Sequence, residues 1–388
     1  MPATLEIYAF LKGRPVNKHR EILPLTGLRF AAALIVFLFH IQLQYSVFDT
    51  PFIRKIIEQG AVGMSIFFML SGYLLMLNYC NSESNLKDYF INRLARIYPV
   101  YFVAGLVTLP WLKIGLGDTG LEMITGSAKA IFIFISNIFV IQAWFPQLFS
   151  YWNNGASWSI SVEVFCYAIL PLAIPALNKL SRRGIILLIV GLYFFSFMTG
   201  LSAKLYDGYG TPIFYAMPIF RLPEFLIGAC TYLIVKNWPT IKRAWIFQLF
   251  AALGLASYLG IIGGWMPLYI GHNWLVIPVV ALTIYTLSTD RGPLVWVLSR
   301  SPFVWLGKIS YCFYSFQALT LMLLATYHTQ ITSSFPILEN GKALTLAAFI
   351  FLTALSAAGY YLIEEPARRA IKNQWPAKSS LKIADAVN

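Results

Sequence analysis

The chain has 388 residues, of which 58% are hydrophobic and 12% are charged, and its net charge is +13. Soluble proteins carry about 25% charged residues, so this composition excludes the ordinary soluble class and indicates a membrane protein. The lysines and arginines form short clusters between apolar runs, which is typical of membrane topology and argues against nucleic-acid binding. The four cysteines are far apart and offer no metal-ligand spacing.

Apolar segments of the length needed to cross ~30 Å of hydrocarbon recur along the chain. They lie at 22–45, 61–79, 97–114, 130–145, 157–178, 184–201, 213–235, 245–264, 273–289, 302–327 and 343–363. The charge clusters predict that both termini are cytoplasmic, which requires an even number of crossings. We therefore predict an all-α, polytopic membrane protein of about ten transmembrane helices. One re-entrant or interfacial segment is expected between 97 and 128, where Pro110, Lys113 and several glycines weaken the helix.

This pattern predicts one domain with two short flanking segments. Residues 1–21 are expected to be a cytoplasmic segment, 22–369 the membrane domain and 370–388 a cytoplasmic tail. The first apolar run contains Arg29 and lacks a small-residue cleavage site, so we interpret it as a retained helix instead of a signal peptide. The predicted outer loops, which contain no lysine or arginine, are 145–156, 264–272 and 328–341.

The first apolar segment, GLRFAAALIVFLFH, retains Arg29 and His40. Eleven positions at 100° per residue make three turns plus about 20°, so both side chains lie on one helix face, roughly 16 Å apart. A permanent cation near the cytoplasm with an imidazole deeper in the membrane suits an anionic donor whose reactive end reaches inward. Alternatively, Arg29 snorkels to lipid phosphates and His40 lies at the outer interface.

A second feature is YFINRLARIYPVYF, where Arg93 and Arg96 lie three residues apart on one helical face. Together with Arg29 they predict a cluster at the inner side that binds phosphates. The alternative is ordinary positively charged sequence beside an aromatic belt.

A third feature is WSISVEVFCY, in which Glu163 lies about one turn inside a helix that begins near the outer side. Ser159, Ser161 and Tyr167 lie close to it in sequence. An intramembrane carboxylate indicates either an acid/base group or the partner of an intramembrane arginine.

Three shorter motifs carry weaker signals. In FFMLSGYLL the step from Ser71 to Gly72 permits close helix approach. In FRLPEFLIGA, Arg221 and Glu224 are three apart and predict an ion pair. In YLIEEPARR the two glutamates and two arginines predict ion pairing at the end of the last helix.

Taken in order, these segments resemble the acyltransferase-3 family of bacterial multi-pass membrane O-acyltransferases. The resemblance covers about residues 23–369 and rests on seven motifs in the family's order. They are LTGLRFAAALIVFLFH, FFMLSGYLL, NRLARIYPVYF, WSISVEVFCY, RLPEFLIGA, LGKISYCFYSFQ and YYLIEEPARR. The chain departs from the family at Gln317, where members often have a histidine, so a titratable role at that position is not expected.

The resemblance implies that an acyl group, most commonly acetyl, moves from cytoplasmic acetyl-CoA or another acyl-CoA to a hydroxyl of an envelope or extracellular glycan or lipid-linked saccharide. His40 and Glu163 are then the expected catalytic residues, with no metal. The acyl-CoA is expected to bind Arg29, Arg93 and Arg96. The expected substrate-binding residues are Ser159, Ser161, Tyr167, Arg221 and Gln317.

These expectations place the protein in the bacterial inner membrane. Homo-oligomerisation and association with a partner in glycan assembly are left open. Aromatic residues in the outer loops, among them Trp152 and Trp265, can stack on sugars, although most are expected to be interface anchors.

The main alternative is a transporter or flippase of a glycan or lipid-linked intermediate, whose intramembrane charges serve substrate passage. A third hypothesis is a receptor or assembly scaffold without chemistry.

Overall fold

The computed structural model describes residues 21–81, 85–112, 120–145, 148, 151–153, 156–205, 213–239, 241–266, 270–271, 273–289 and 291–375. Every regular element within these ranges is helical, which confirms the predicted all-α class. Most of the predicted cytoplasmic segment 1–21 and of the tail 370–388 lies outside the described residues.

Seventeen helices follow one another along the described part of the chain. The first nine are α1 Leu23–Tyr45, α2 Pro51–Glu58, α3 Val62–Tyr79, α4 Leu86–Val107, α5 Gly120–Ile138, α6 Trp158–Asn178, α7 Arg182–Ser196, α8 Met198–Leu205 and α9 Ile213–Ala216. The others are α10 Pro218–Asn237, α11 Ala244–Ser257, α12 Ile277–Thr289, α13 Pro293–Leu298, α14 Ser301–Lys308, α15 Ser310–Ser334, α16 Gly341–Gly359 and α17 Glu365–Gln374.

Seven helical stretches in the described residues are long and apolar enough to cross a membrane. The count becomes eight if α14 and α15, which meet at a bend of 66°, form one broken span. Large apolar side chains such as Leu172, Leu187 and Phe250 are at least 70% exposed, as expected where lipid replaces water. The protein is therefore polytopic, while the total of ten crossings and the side of each terminus stay predictions.

Two helices differ from their predicted boundaries. The segment predicted at 97–114 begins earlier, at Leu86, where the Asn85 side chain accepts a hydrogen bond from the backbone N–H of Lys87 (3.3 Å). The segment predicted at 130–145 instead runs from Gly120 to Ile138. Hydropathy missed the first half of α4 because that half contains several charged and polar residues. Residues 113–119 lie outside the described ranges, so the re-entrant segment expected between 97 and 128 stays a prediction.

Helices α3 and α10 pack closely through glycine. A Cβ atom at Gly72 would overlap the carbonyl oxygen of Phe225, and one at Gly228 would overlap that of Met69. The predicted close approach at the step from Ser71 to Gly72 is therefore confirmed. This contact holds α3 and α10 against each other, next to Ser71, which binds Glu163 of α6.

Several of the described residues between α5 and α6 are buried in the protein interior. Trp152 is 1% exposed and packs against Tyr101, Phe102 and Phe134. The Asn153 amide donates to the carbonyl oxygen of Ser315 on α15 (2.8 Å). Trp152 is thus a core residue and not a sugar-stacking surface residue of an outer loop.

Candidate active site

A polar cluster lies where α1, α4, α6 and the turn between α16 and α17 meet. Arg29 of α1 interacts electrostatically with Arg96 of α4, Glu163 of α6 and Glu364. Tyr167, one turn after Glu163, interacts with the same arginine of α4. The predicted residues Arg29, Arg96 and Glu163 are therefore brought together although 134 positions separate the first from the last. Among the described residues, no group of three or more His, Cys, Asp or Glu side chains forms a metal site.

The Glu163 carboxylate is held by two hydroxyl groups. Ser71 Oγ of α3 donates to Oε1 (3.1 Å), and the Tyr167 hydroxyl donates to Oε2 (3.1 Å). Ser71 lies nine residues into α3, about 14 Å from the start of that helix. Glu163 thus contacts the middle of α3, while its expected position near the outer side of the membrane stays a prediction.

The Arg29 and Arg96 guanidinium groups interact electrostatically, and neither has a bonded partner among the described residues. Neither forms an ion pair within 4.0 Å, or a hydrogen bond, with any described residue. Both side chains are half-buried. Two neighbouring cations inside a membrane protein repel each other, and the carboxylates of Glu163 and Glu364 are near without neutralising either one directly. The arrangement therefore favours an anionic ligand between the two guanidinium groups.

Glu364 is a functional candidate that the sequence analysis did not single out. It was expected to pair with the arginines at the end of the last helix, but it is 4% exposed, accepts a hydrogen bond from Cys312 Sγ (3.3 Å) and interacts electrostatically with Arg96 and Arg29 more strongly than with Arg368. The neighbouring Glu365 forms the predicted ion pairs with Arg368 and Arg369. A π-helical turn, Tyr360–Glu364, rotates Glu364 inward. One sequence feature could have indicated this burial: Glu364 directly follows an apolar run.

Arg93 lies on α4 one turn before Arg96 but faces a different neighbourhood. Its guanidinium carbon is 5.8 Å from the ring centre of Tyr79 and 6.0 Å from that of Tyr167. The Arg93 Nε atom is buried without a hydrogen-bond partner in the described residues. The side chain lines a cavity of about 400 Å³ between α4 and α6. The two arginines of the NRLAR motif are therefore divided between the polar cluster and this cavity.

His40 and Arg29 lie on the same uninterrupted helix α1, as predicted. The half-buried His40 ring faces the amide of Gln317 on α15 without completing a hydrogen bond. Gln317 is 1% exposed, and neither its amide nitrogen nor its amide oxygen has a partner among the residues described. An amide that stays unpaired inside a protein costs free energy, so this pair indicates a site where a ligand completes the hydrogen bonds.

Ser159 and Ser161 make their described contacts with the protein itself. Ser159 Oγ donates to the hydroxyl of Tyr314 (2.8 Å), which donates in turn to the carbonyl oxygen of Ala156 (2.9 Å). Ser161 Oγ accepts from the backbone N–H of Ala143 (3.4 Å). These serines hold the buried segment before α6 against α15, which is a supporting position beside the polar cluster.

Arg221 lies apart from the cluster, in a structural setting of its own. It is 0% exposed and forms an ion pair with Glu224 at 3.2 Å, as the three-residue spacing predicted. Its guanidinium carbon lies over the rings of Phe68 (5.1 Å), Tyr215 (4.9 Å) and Trp158 (5.8 Å). This aromatic enclosure leaves the guanidinium engaged by protein groups.

Comparison with known proteins supports an acyltransferase. The sequence model described as an acyltransferase domain, that of the acyltransferase-3 family, matches residues 23–365. Acyltransferase MdmB of Streptomyces mycarofaciens is 26% identical over 75% of this chain and 76% of its own length. A putative peptidoglycan O-acetyltransferase, YrhL of Bacillus subtilis, is 26% identical over 90% of this chain and 55% of its own length.

The peptidoglycan O-acetyltransferase OatA of Listeria monocytogenes is 25% identical over 92% of this chain and 57% of its own length. The chain therefore spans little more than half the length of the two similar peptidoglycan O-acetyltransferases. No solved structure matches the chain significantly. Because the family's model covers residues 23–365, which include every residue of the polar cluster, the chain belongs to the acyltransferase-3 family of acyltransferases.

Proposed function

We propose that this protein transfers an acetyl group from cytoplasmic acetyl-CoA to a hydroxyl of an envelope glycan. The observation that supports the proposal is the pair of Arg29 and Arg96, whose guanidinium groups interact electrostatically and have no bonded partner among the described residues. Such a pair suits the phosphates of an acyl-CoA, because guanidinium groups bind phosphate through paired, charge-assisted hydrogen bonds.

The donor approaches from the side rich in lysine and arginine. The ends of α3, α6 and α10 meet there, where Asn178 donates to the carbonyl oxygen of Cys80 (2.8 Å) and Lys236 binds the side chain of Asn81 (2.9 Å). Arg29 lies six residues into α1, about 9 Å from its start. A donor held there extends its thioester along α1 towards His40.

We infer ten crossings, with α5 and α6 together making one of them. The end of α5 lies beside the middle of α4, since the Tyr101 and Tyr98 hydroxyls donate to the carbonyl oxygens of Asn137 (2.8 Å) and Ile138 (3.2 Å). In sequence, α6 follows α5. Counting this discontinuous pair once keeps both termini on the cytoplasmic side of the proposed inner membrane.

The chemistry assigned to His40 is general-base catalysis. The imidazole takes the proton of the acceptor hydroxyl while the hydroxyl oxygen attacks the thioester carbonyl. A carbon–oxygen bond forms, the carbon–sulfur bond breaks, and the proton passes to the CoA thiolate. Transient acylation of His40 is the alternative route. The free amide of Gln317 can donate to the carbonyl oxygen as negative charge develops there.

Glu163 is assigned to the arginine pair and not to His40. Its two carboxylate oxygens bind Ser71 and Tyr167, and its electrostatic neighbour is Arg29. A carboxylate at this place offsets part of the repulsion between the guanidinium groups when the donor is absent. Glu163 then acts as a positioning residue for the donor site.

The test uses purified protein in lipid nanodiscs with labelled acetyl-CoA and glycan fragments as acceptors. We expect free CoA and labelled acetyl ester to appear together. The double variant Arg29→Gln/Arg96→Gln should lose this reaction, whereas Arg54→Gln, which removes an exposed arginine of α2, should retain it. Movement of unmodified glycan across the bilayer without acetyl transfer would support the transporter instead. Full transfer by the double variant would reject the donor site.

A further inference from the structure

The side chain of Asn153, between α5 and α6, has one amide atom bonded and one free. Its Nδ2 atom donates to the carbonyl oxygen of Ser315 on α15 (2.8 Å), which fixes the direction of the amide. Its Oδ1 atom is buried without a hydrogen-bond partner among the described residues, and the residue is 5% exposed. A carbonyl oxygen can only accept, so the group that would complete this place is an O–H or N–H donor.

The backbone that carries this amide is strained. Trp152 and Asn153 both have positive φ values, 58° and 54°. Asparagine tolerates this left-handed conformation, but a bulky residue such as tryptophan rarely adopts it, and such strain is typical of ligand-binding and active sites. Packing imposes it here, because a Cβ atom at Gly105 would overlap the Trp152 ring and Ser157 Oγ donates to the carbonyl oxygen of Trp152 (2.9 Å). The surroundings therefore hold Asn153 in place.

His40 and Gln317 mark one level along α1 and α15, since the imidazole faces the amide. Four residues further along each helix, Gln44 Nε2 donates to the carbonyl oxygen of Leu321 (3.4 Å). The two helices therefore run parallel and keep the same register. A residue that lies level with Gln317 on α15 is also level with the imidazole on α1.

Helix α4 and the short turn after it follow α15 in the same direction. The Tyr311 hydroxyl donates to the carbonyl oxygen of Ile97 (2.8 Å), and Trp111 Nε1 donates to the hydroxyl of Thr326 (2.8 Å). The members of these two pairs are 214 and 215 positions apart in sequence. Each position of α4 is thus level with the position 214 to 215 numbers later on α15.

Two independent contacts place Asn153 at the level of Gln317. Ser315, which it binds, lies two residues before Gln317, or about 3 Å along the axis of α15. Gly105, which packs against Trp152, is level with a position two to three residues after Gln317, at most about 4.5 Å away along that axis. Asn153 therefore lies at the level of the reacting centre.

A free amide oxygen alone does not make a site. Gln248 of α11 is 0% exposed and donates to the carbonyl oxygen of Thr286 on α12 (3.2 Å), and its Oε1 atom has no partner in the described part of the chain. Helices α11 and α12 carry none of the residues assigned to the reaction. Asn153 differs from Gln248 because it lies level with His40 and beside α15, which carries Gln317.

We propose that Asn153 binds the acceptor sugar through a second hydroxyl, next to the one that receives the acetyl group. This rests on the proposed acetyl transfer and names the acceptors that the site selects. The reacting hydroxyl has one proton, which His40 takes, so Oδ1 of Asn153 must accept from another group of the same acceptor. Sugars offer such a group because they carry hydroxyls on adjacent carbons. Asn153 then discriminates sugars from simple alcohols, which lack a second donor.

Acceptor analogues test the inference on wild-type protein in nanodiscs. The probes are the methyl glycosides of glucose, galactose, mannose and N-acetylglucosamine, with ethanol as an alcohol that has no second hydroxyl. Monodeoxy analogues are made of the glycoside that is acetylated fastest. The analogue without the reacting hydroxyl should be inactive. A second analogue should lose about tenfold or more in kcat/KM, because Oδ1 of Asn153 then stays unpaired, and ethanol should lose at least as much.

Two variants assign this loss to Asn153. Asn153→Gly, which tolerates the positive φ, should lower kcat/KM for the complete glycoside about tenfold without lowering it further for the sensitive analogue. Its rate with ethanol should equal that of wild type. Asn153→Asp keeps an accepting oxygen and should keep the discrimination. The matched control Gln248→Ala loses the same kind of buried amide bond, so it should lower Tm and leave the discrimination unchanged.

The outcomes separate this inference from the proposed acetyl transfer. Additive losses in Asn153→Gly and the sensitive analogue, or an equal loss with ethanol, would overturn the role of Asn153 in binding the acceptor. Thermal melting shows whether the variants fold, and if neither does, the wild-type series decides, since the absence of a second sensitive analogue would also overturn the inference. Acetyl transfer is intact in each of these results. Failure of wild-type protein to acetylate any probe or release CoA would instead reject the acetyltransferase.

Discussion

Gln317 lies against the imidazole of His40 with neither of its amide atoms hydrogen-bonded to a described residue. The family often has a histidine here, and glutamine cannot titrate. A free amide can instead donate to the thioester carbonyl or to the developing oxyanion. We therefore expect the hydrogen-bonding capacity of the Gln317 side chain to matter for catalysis.

Gln317→Leu should reduce kcat about 10²-fold or more, since a donor to the developing oxyanion is lost. Its Tm should not fall, because the change removes a buried amide that has no protein partner. Purified protein in nanodiscs provides both measurements. Unchanged kcat together with a lower Tm would show that Gln317 is structural.

Replacing Arg29 or Arg96 by glutamine should weaken acyl-CoA binding about tenfold or more, because each variant removes charge-assisted hydrogen bonds to phosphate. Thermal stability should be equal to or above that of wild type, since no described ion pair is broken and one cation of a repelling pair is removed. Calorimetric titration with CoA would measure the loss of affinity, and thermal melting would measure the unchanged or higher Tm. A drop in Tm with unchanged affinity would indicate a structural pair.

Ser71→Ala should lower kcat/KM for acyl-CoA about tenfold. The variant leaves Glu163 with only the hydrogen bond from Tyr167, so the carboxylate beside Arg29 is less well fixed. Ser333→Ala is the matched control, because its hydroxyl bonds only the carbonyl oxygen of Gln330 on its own exposed helix end. Equal kcat/KM in both variants would exclude a role for this bond in positioning Glu163.

Arg221→Ala should destabilise the protein by roughly 3 to 5 kcal/mol, since it leaves the Glu224 carboxylate buried and unpaired. Replacing both residues by apolar ones of similar volume, Arg221→Met with Glu224→Leu, should restore most of that loss. Arg54→Ala breaks an exposed pair with Glu58 and should cost at most about 1 kcal/mol. A stable Arg221→Ala protein that fails to bind acceptor would instead assign Arg221 to the substrate.

The sequence predicted well those parts of the site that depend on helix periodicity. Arg29 and His40 share a face because α1 is uninterrupted, and the pairing of Arg221 with Glu224 follows from their three-residue spacing. The start of α4 at Leu86 was missed, because apolar runs mark where a helix meets lipid and not where it begins.

The remaining differences depend on tertiary structure. The inward rotation of Glu364 is caused by a π-helical turn, and the burial of Trp152 follows from the path of the chain between α5 and α6. The separation of Arg93 from Arg96 is likewise set by the neighbouring helices, although the two are only three residues apart. Local periodicity carries none of this information.

The most direct measurement compares wild-type protein with His40→Ala in two assays, binding of acetyl-CoA and single-turnover transfer of its acetyl group. We expect unchanged affinity for the donor, since the phosphates bind about 16 Å away along α1, and transfer slowed 10²- to 10⁴-fold. A transfer rate equal to that of wild type would contradict His40 as the base and, with it, the central claim that α1 carries both the donor site and the reacting centre.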